Sequence, residues 1–280
     1  MESAAHDHRV ARHYDEETES FYLRYWDSED IHFGLFAHDE VDFKPALKNM
    51  TRAAIDPARP SAEHLVVDAG CGVGGPAFDI ARWYGCRVAG VTISHRQIAI
   101  AEARAQELGL TQLVTFAYAD CSQYLPFADA SVDIVLSIQS ACHFSDRFRF
   151  LAECGRILKP GAALMLCDWM AADDITPESY RAFLDPVCAC WLLAGLETRS
   201  TYAAMLAETG FEIREFSDLS VAAARNADIL TRLYLDMLLQ EASDRRSNPD
   251  RSLWKERFGT LAHAWQPGHF TIGRFAAQRQ

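Results

Sequence analysis

The stretch Leu65–Thr92, LVVDAGCGVGGPAFDIARWYGCRVAGVT, decides the architecture. Leu65 to Val67 is a short apolar run with two β-branched valines, the pattern of a buried strand. It ends in Asp68 and enters a turn with glycines at 70, 72, 74 and 75. A helix is predicted from about Pro76 to Tyr84 and a second apolar strand over Arg87–Val91. Strand, glycine turn, helix and strand form a βαβ unit, whose bare turn lets a ligand lie against backbone amides.

Two kinds of site use such a turn. Gly70, Gly72 and Gly75 satisfy the G-x-G-x-x-G spacing of a dinucleotide fingerprint. That fingerprint also wants an acid at the end of the second strand, to bind ribose hydroxyls. Here that strand runs into Val91-Thr92-Ile93-Ser94, and the acid is Asp68, two residues before the first glycine. The D-x-G-x-G-x-G arrangement resembles motif I of class I S-adenosylmethionine (SAM) methyltransferases. The resemblance implies SAM as cofactor, with Asp68, Gly70 and Gly72 at its site. SAM has no pyrophosphate for a helix N-terminus to hold; it carries an ammonium and a carboxylate, which suits an acid beside the turn.

More of the chain carries the same resemblance. Thr92-Ile93-Ser94-His95-Arg96-Gln97 is similar to the T-L-S-x-x-Q pattern of sterol C-methyltransferases, cyclopropane-fatty-acid synthases and sarcosine/dimethylglycine N-methyltransferases. It implies that Thr92 and Gln97 contact the SAM ribose, so no acid is needed there. Ser94 also reads as the N-cap of a helix from about His95 to Glu107. Past a third strand at Leu113–Ala117, Asp120 and Cys121 stand where these enzymes recognise adenine; an ordinary turn aspartate is the other reading. A fourth strand, Val132–Ser137, delivers Ile138, Gln139 and His143, at the strand ends that face the ligand crevice of a doubly wound sheet. The stretch resembles the sterol C-methyltransferase sequence in which a Glu precedes a His by four residues. Here the acidic position is Gln139, so no fixed charge is available to stabilise a carbocation. His143 can orient a substrate, take its proton or be purely structural.

Arg156-Ile-Leu-Lys-Pro-Gly161 resembles a landmark turn before the fifth strand of the family. That strand is predicted at Ala163–Cys167. It presents Trp169, which can wall an acceptor pocket or pack beneath a lid. Helices are predicted over about Tyr180–Leu193, Thr198–Thr209, Val221–Ala242 and Arg251–Trp265. Strands are predicted at Phe211–Phe216 and, antiparallel, from Gly268 onward. The expected fold is therefore α/β, a Rossmann-like doubly wound sheet of seven strands with an N-terminal helical lid and helical insertions near the C-terminus.

Ahead of this core, Tyr14, Thr18, Phe21, Tyr22 and Tyr25 recur at helical spacing and make one aromatic face. With Trp26 and Glu29–Phe36, EDIHFGLF, they resemble the N-terminal lid of the families named above, closest to the enzymes that form glycine betaine. The resemblance implies that Tyr14, Tyr22 and His32 shut the site, excluding water and placing aromatic faces beside a cationic sulfonium. A helix over Val41–Ile55 leads to the core. Expected regions are 1–55, the lid; 56–172, the SAM-binding core; and 173–280, the remaining strands with substrate-capping helices.

Composition narrows the partners. A formal charge of −12 argues against nucleic acid, which needs clustered Lys and Arg. No apolar run approaches the roughly 20 residues of a membrane span, and the first residues lack the apolar core of a signal peptide, so a cytoplasmic location is expected. Eight scattered cysteines form no C-x-x-C pair, favouring reduced, buried thiols and no metal. The expected activity is methyl transfer from SAM to a small molecule, foremost an amine nitrogen, with an alkene, prenyl or indole-type carbon as the alternative. His143, Tyr14 and Tyr22 are the candidate catalytic residues, and His32, Gln139 and Trp169 the candidate acceptor-binding ones. The oligomeric state stays open.

Overall fold

A computed structural model describes residues 2–18, 23, 28–37, 42–229, 231–232, 235 and 249–280. Its centre is a seven-stranded sheet in the order β3-β2-β1-β4-β5-β7-β6. The strands are β1 (Leu65–Ala69), β2 (Arg87–Thr92), β3 (Val114–Tyr118), β4 (Val132–Ile138), β5 (Leu158–Ala171), β6 (Phe211–Asp218) and β7 (Phe270–Arg279). The first five pair in parallel, and β7 runs antiparallel to both β5 and β6, as the sequence suggested.

Alternation along the strands feeds two cores. Val66, Ile134, Leu136, Met165 and Cys167 face a layer built with Leu47, Met50, Phe78 and Ile80. Their neighbours Val67, Val135, Leu164 and Leu166 face Phe150, Leu151, Tyr202 and Leu206. Helices α2 (Phe43–Ile55) and α3 (Gly75–Tyr84) thus cover one face, while α5 (Arg147–Ile157) and α7 (Arg199–Glu208) cover the other. A parallel sheet needs both faces covered, because its crossover helices lie on both. The order reverses between β1 and β4, which opens a crevice at their C-terminal ends.

Local chemistry sets the helix ends. Ser94 caps α4 (His95–Glu107), its hydroxyl accepting the Gln97 amide at 3.1 Å. Asp146 does the same for Arg149 at the start of α5, at 2.8 Å. The fifth strand runs well beyond the predicted Ala163–Cys167, because β4 and β7 pair with it along most of its length. The predicted helix Tyr180–Leu193 is divided: Tyr180–Leu184 winds as a π-helical turn before α6 (Asp185–Trp191). Pro186 is the cause, since it has no amide proton to continue the α-helical ladder.

At the N-terminus α1 spans Glu2–Glu17, earlier than the aromatic pattern implied; Phe21, Tyr22, Tyr25 and Trp26 lie outside the described residues. Of the helix predicted at Val221–Ala242, the described part begins as the single turn Ser220–Ala223, and most of the rest also lies outside. The last helix, α8, is Pro249–Trp265. All eight cysteines are free thiols. Among the described residues no helix is long and apolar enough to cross a membrane, and no group of three or more His, Cys, Asp or Glu is arranged to hold a metal ion.

Candidate active site

The crevice holds a cavity of about 810 Å³, counting the part open to solvent. The glycine turn forms its floor. Gly70 and Cys71 both donate amides to the Val91 carbonyl, which ties the turn to β2. Gly72 has φ +55°, and among the described residues a Cβ there would meet only Ile31 Cδ1, at 3.7 Å, so the missing side chain leaves room for a ligand. At Gly75 a Cβ would lie 2.5 Å from the Glu29 carbonyl oxygen, so this glycine lets the N-terminal segment press onto the start of α3.

That segment is firmly anchored. Asp30 is fully buried, and Lys48 Nζ stands 2.6 Å from both Asp30 Oδ2 and Asp79 Oδ2, joining the segment to α2 and α3. Gly34 exchanges two hydrogen bonds with the Asn226 carboxamide, at 2.9 and 2.8 Å. Helix α1 closes the top of the crevice. Asp15 accepts the Ser94 hydroxyl at 2.5 Å and the Arg96 amide at 3.2 Å, so its carboxylate sits at the positive N-terminus of α4. Asp7 accepts the Ser145 hydroxyl at 2.8 Å.

Twelve of the fourteen side chains and glycines singled out from sequence border this cavity: Tyr14, His32, Asp68, Gly70, Gly72, Thr92, Gln97, Asp120, Cys121, Ile138, Gln139 and His143. Thr92 donates to Gln97 Oε1 at 2.7 Å, and Gln97 Nε2 donates to Thr18 at 3.3 Å, so this polar pair is linked to α1's end. Asp68 is 2% exposed at the end of β1, and its Oδ2 has no hydrogen-bond partner among the described residues. Burial, reinforced by the nearby charge of Asp30, pushes its carboxyl up to about 7. Asp120 is also raised, by burial and then by Asp7.

His143 sits on a single 3-10 turn after β4. Its Nδ1 faces the Leu192 carbonyl at 3.0 Å, and a carbonyl can only accept. Nδ1 therefore carries the proton in the neutral ring, and Nε2 accepts from the Tyr14 hydroxyl at 3.1 Å. Burial lowers the His143 pKa to about 4, so the ring is neutral at physiological pH. His32 is engaged on both sides, Nδ1 with the Phe33 carbonyl at 2.9 Å and Nε2 with Thr51 at 3.2 Å. It borders the cavity as a buried, structurally committed ring.

Trp169 belongs elsewhere. It stacks on Phe33 at 4.8 Å, meets Trp191 and Phe270 edge-on and donates its indole N–H to Gln139 at 2.9 Å. It supports the cavity from the core and does not border it, because β7 and the N-terminal segment enclose it from both sides. Tyr22 lies outside the described residues. Sequence reasoning missed Asp7 and Val10, which border the cavity from α1. The spacing Asp7, Val10, Tyr14 puts them on one helix face, and that signal was available.

The arrangement fits SAM by its own chemistry. A buried carboxylate whose Oδ2 has no hydrogen-bond partner among the described residues, a turn bare at Gly72 and a second carboxylate at Asp120 suit a ligand that carries an ammonium and an aminopurine.

Comparison with known proteins agrees. A family profile described as a methyltransferase domain matches residues 67–166. The chain is 32% identical over 257 residues to a dimethylglycine N-methyltransferase of Parasynechococcus marenigrum, covering 89% of this chain and 85% of that protein. It is 29% identical over 260 residues to methyltransferase GfsG of Streptomyces halstedii, covering 91% and 90%. Among solved structures, the cyclopropane synthase MmaA2 of Mycobacterium tuberculosis superposes with a TM-score of 0.85 at 20% identity, covering 98% of each chain, and so shares the fold.

Proposed function

This chain belongs to the SAM-dependent methyltransferase family, and we propose that within it the enzyme methylates an amine nitrogen of a small metabolite. The observation that carries this reading is the charge of the cavity. Three carboxylates border it, Asp7, Asp68 and Asp120, and among the described lining residues there is no Lys or Arg. Such a wall favours cations, and both a sulfonium donor and a methylated ammonium product are cations. The likeness to a dimethylglycine N-methyltransferase over most of both chains supports the same reading.

In this proposal Asp68, Gly70 and Gly72 hold the amino-acid end of SAM. Thr92 and Gln97 hold the ribose, and Asp120 with Cys121 and Ile138 holds the adenine. When bound, SAM supplies an electrophilic methyl group on sulfur. The protein contributes position: a floor of bare backbone and a roof of α1 over the cavity, so that a lone pair is held close to its target. Tyr14 and His143 orient the acceptor. Because His143 is neutral, the pair adds no positive charge beside a cationic product.

Carbon methylation is the second reading, and the Tyr14–His143 pair is the observation that favours it, since a neutral imidazole can take the proton released from a carbon cation. His143→Ala separates the two. It should only slow amine methylation but nearly abolish methylation of carbon. The primary test is formation of S-adenosylhomocysteine by purified protein with SAM and a panel of secondary and tertiary amines, sarcosine and dimethylglycine included. No turnover with any amine, alongside measurable turnover with an alkene or indole, would reject the nitrogen reading.

A further inference from the structure

Gln139 lies at the C-terminal end of β4, on the side of the cavity toward β5, away from the β1–β3 half that carries Asp68, Thr92 and Asp120. Its backbone is in the left-handed region, φ +50°, which a residue with a Cβ adopts only when its surroundings enforce it. Its amide donates to the Cys167 carbonyl at 2.7 Å, which pins that geometry.

The orientation of the side chain follows from its partners. Oε1 receives the Phe33 backbone N–H at 2.8 Å and the Trp169 indole N–H at 2.9 Å. Both partners are obligate donors, so exchanging oxygen and nitrogen would set an NH2 group against two N–H groups. The oxygen is therefore fixed, and the amide nitrogen occupies the other branch. That nitrogen has two protons to give. It is buried without a hydrogen-bond partner among the described residues, in a residue 7% exposed that borders the cavity. Buried donors in proteins are nearly always paired, so an unpaired one in a residue that borders a ligand cavity calls for a partner that the described residues do not supply.

We propose that Gln139 is a specificity-determining residue: its carboxamide nitrogen donates to an sp² oxygen, of a carboxylate or a carbonyl, carried by the methyl acceptor. The assignment rests on the methyl-transfer reading of this cavity. An acceptor without such an oxygen leaves the donor unpaired and is discriminated against, which is how sites built to hydrogen-bond a substrate reject analogues lacking the group. The same carboxamide grips the Phe33 backbone, so acceptor and N-terminal segment share one side chain.

The test uses the full-length protein, labelled with nitrogen-15 at glutamine and saturated with S-adenosylhomocysteine. The side-chain amide resonance of Gln139 is identified by its disappearance in Gln139→Glu, which keeps an oxygen facing Phe33 and Trp169. Acetate and acetamide are then titrated, with trimethylammonium as the oxygen-free control. Movement of that resonance with acetate, with acetamide or with both, and none with trimethylammonium, is the expected result. Acetate alone identifies a carboxylate, and acetamide a carbonyl. A resonance that stays put with both oxygen probes overturns the assignment. So does a loss of SAM affinity of tenfold or more in Gln139→Glu by calorimetry, which would place Gln139 at the donor. Wild-type protein that fails to bind SAM rejects the methyl-transfer reading itself, whereas SAM binding with a stationary Gln139 resonance rejects only this proposal.

Discussion

The Tyr14 hydroxyl donates to Nε2 of His143 across 3.1 Å, joining two residues 129 positions apart in the chain. The direction of that bond is set by the Leu192 carbonyl on the far side of the ring. A residue of the N-terminal helix thereby completes a polar pair with a residue of the sheet, and the pair borders the cavity.

Replacing Tyr14 by Phe removes this bond while keeping the ring's packing. We expect kcat to fall by about a hundredfold, the lower end of the range for groups that orient or relay a proton. SAM affinity should stay within about twofold, since the residues proposed to hold SAM are untouched. Steady-state kinetics with calorimetry of SAM binding checks both, and an equal loss in the two would show that Tyr14 supports the donor site.

His143 also shapes the pH dependence of stability. Its pKa is lowered from 6.5 to about 4 in the folded chain, so below 6.5 the unfolded state binds a proton that the folded state refuses. Its contribution is therefore lost as pH falls from about 6.5 toward 4, and amounts to on the order of 3 kcal/mol. His143→Gln should lose less stability than wild type across that window. Urea denaturation at a series of pH values measures the difference.

Asp68 has the opposite sign. Its folded pKa is raised to about 7, so between about 4 and 7 the folded state holds a proton that the unfolded state has released, and this contribution to stability declines as pH rises. A cationic ligand favours the ionised carboxylate. SAM affinity should rise as pH increases toward about 7 and level off above it, with proton release on binding on the acid side. Calorimetry in buffers of different ionisation heat reads that release. Asp68→Asn should abolish it and weaken SAM binding, while raising the melting temperature of the ligand-free protein.

Two glycines of the turn should fail in different ways. Gly74→Ala would put a Cβ 2.6 Å from Phe116 Cζ at φ +91°, so the fold itself is expected to lose about 2 kcal/mol or more. Gly72→Ala faces open cavity at φ +55° and should cost only about 1 kcal/mol of stability. It should still lower SAM affinity at least tenfold, because the methyl group takes space needed by the ligand. Thermal melts beside binding isotherms tell the two apart.

The glycine turn after a β-branched run, the alternating strands and the Ser94 cap were all legible, because each is a local pattern whose physical cause lies within a few residues. So was the position of Asp120 past the third strand. The sequence could not show that Trp169 sits in the core, because that depends on Phe33 and Phe270 arriving from opposite ends of the chain. The interruption before α6 was readable in principle from Pro186, and the helix was nonetheless predicted as continuous. Asp7 likewise lay one turn ahead of Val10 on the face that carries Tyr14.

What the amino-acid order fixed by itself is the mostly parallel α/β sheet and its glycine turn, since periodicity, glycine spacing and capping act over short range. What only the tertiary structure decided is the detail of the cavity wall: the tautomer of His143, the orientation of the Gln139 carboxamide and the charge of the lining. Each of those is set by partners distant in sequence, and hydrogen-bond direction and burial exist only after the chain has packed.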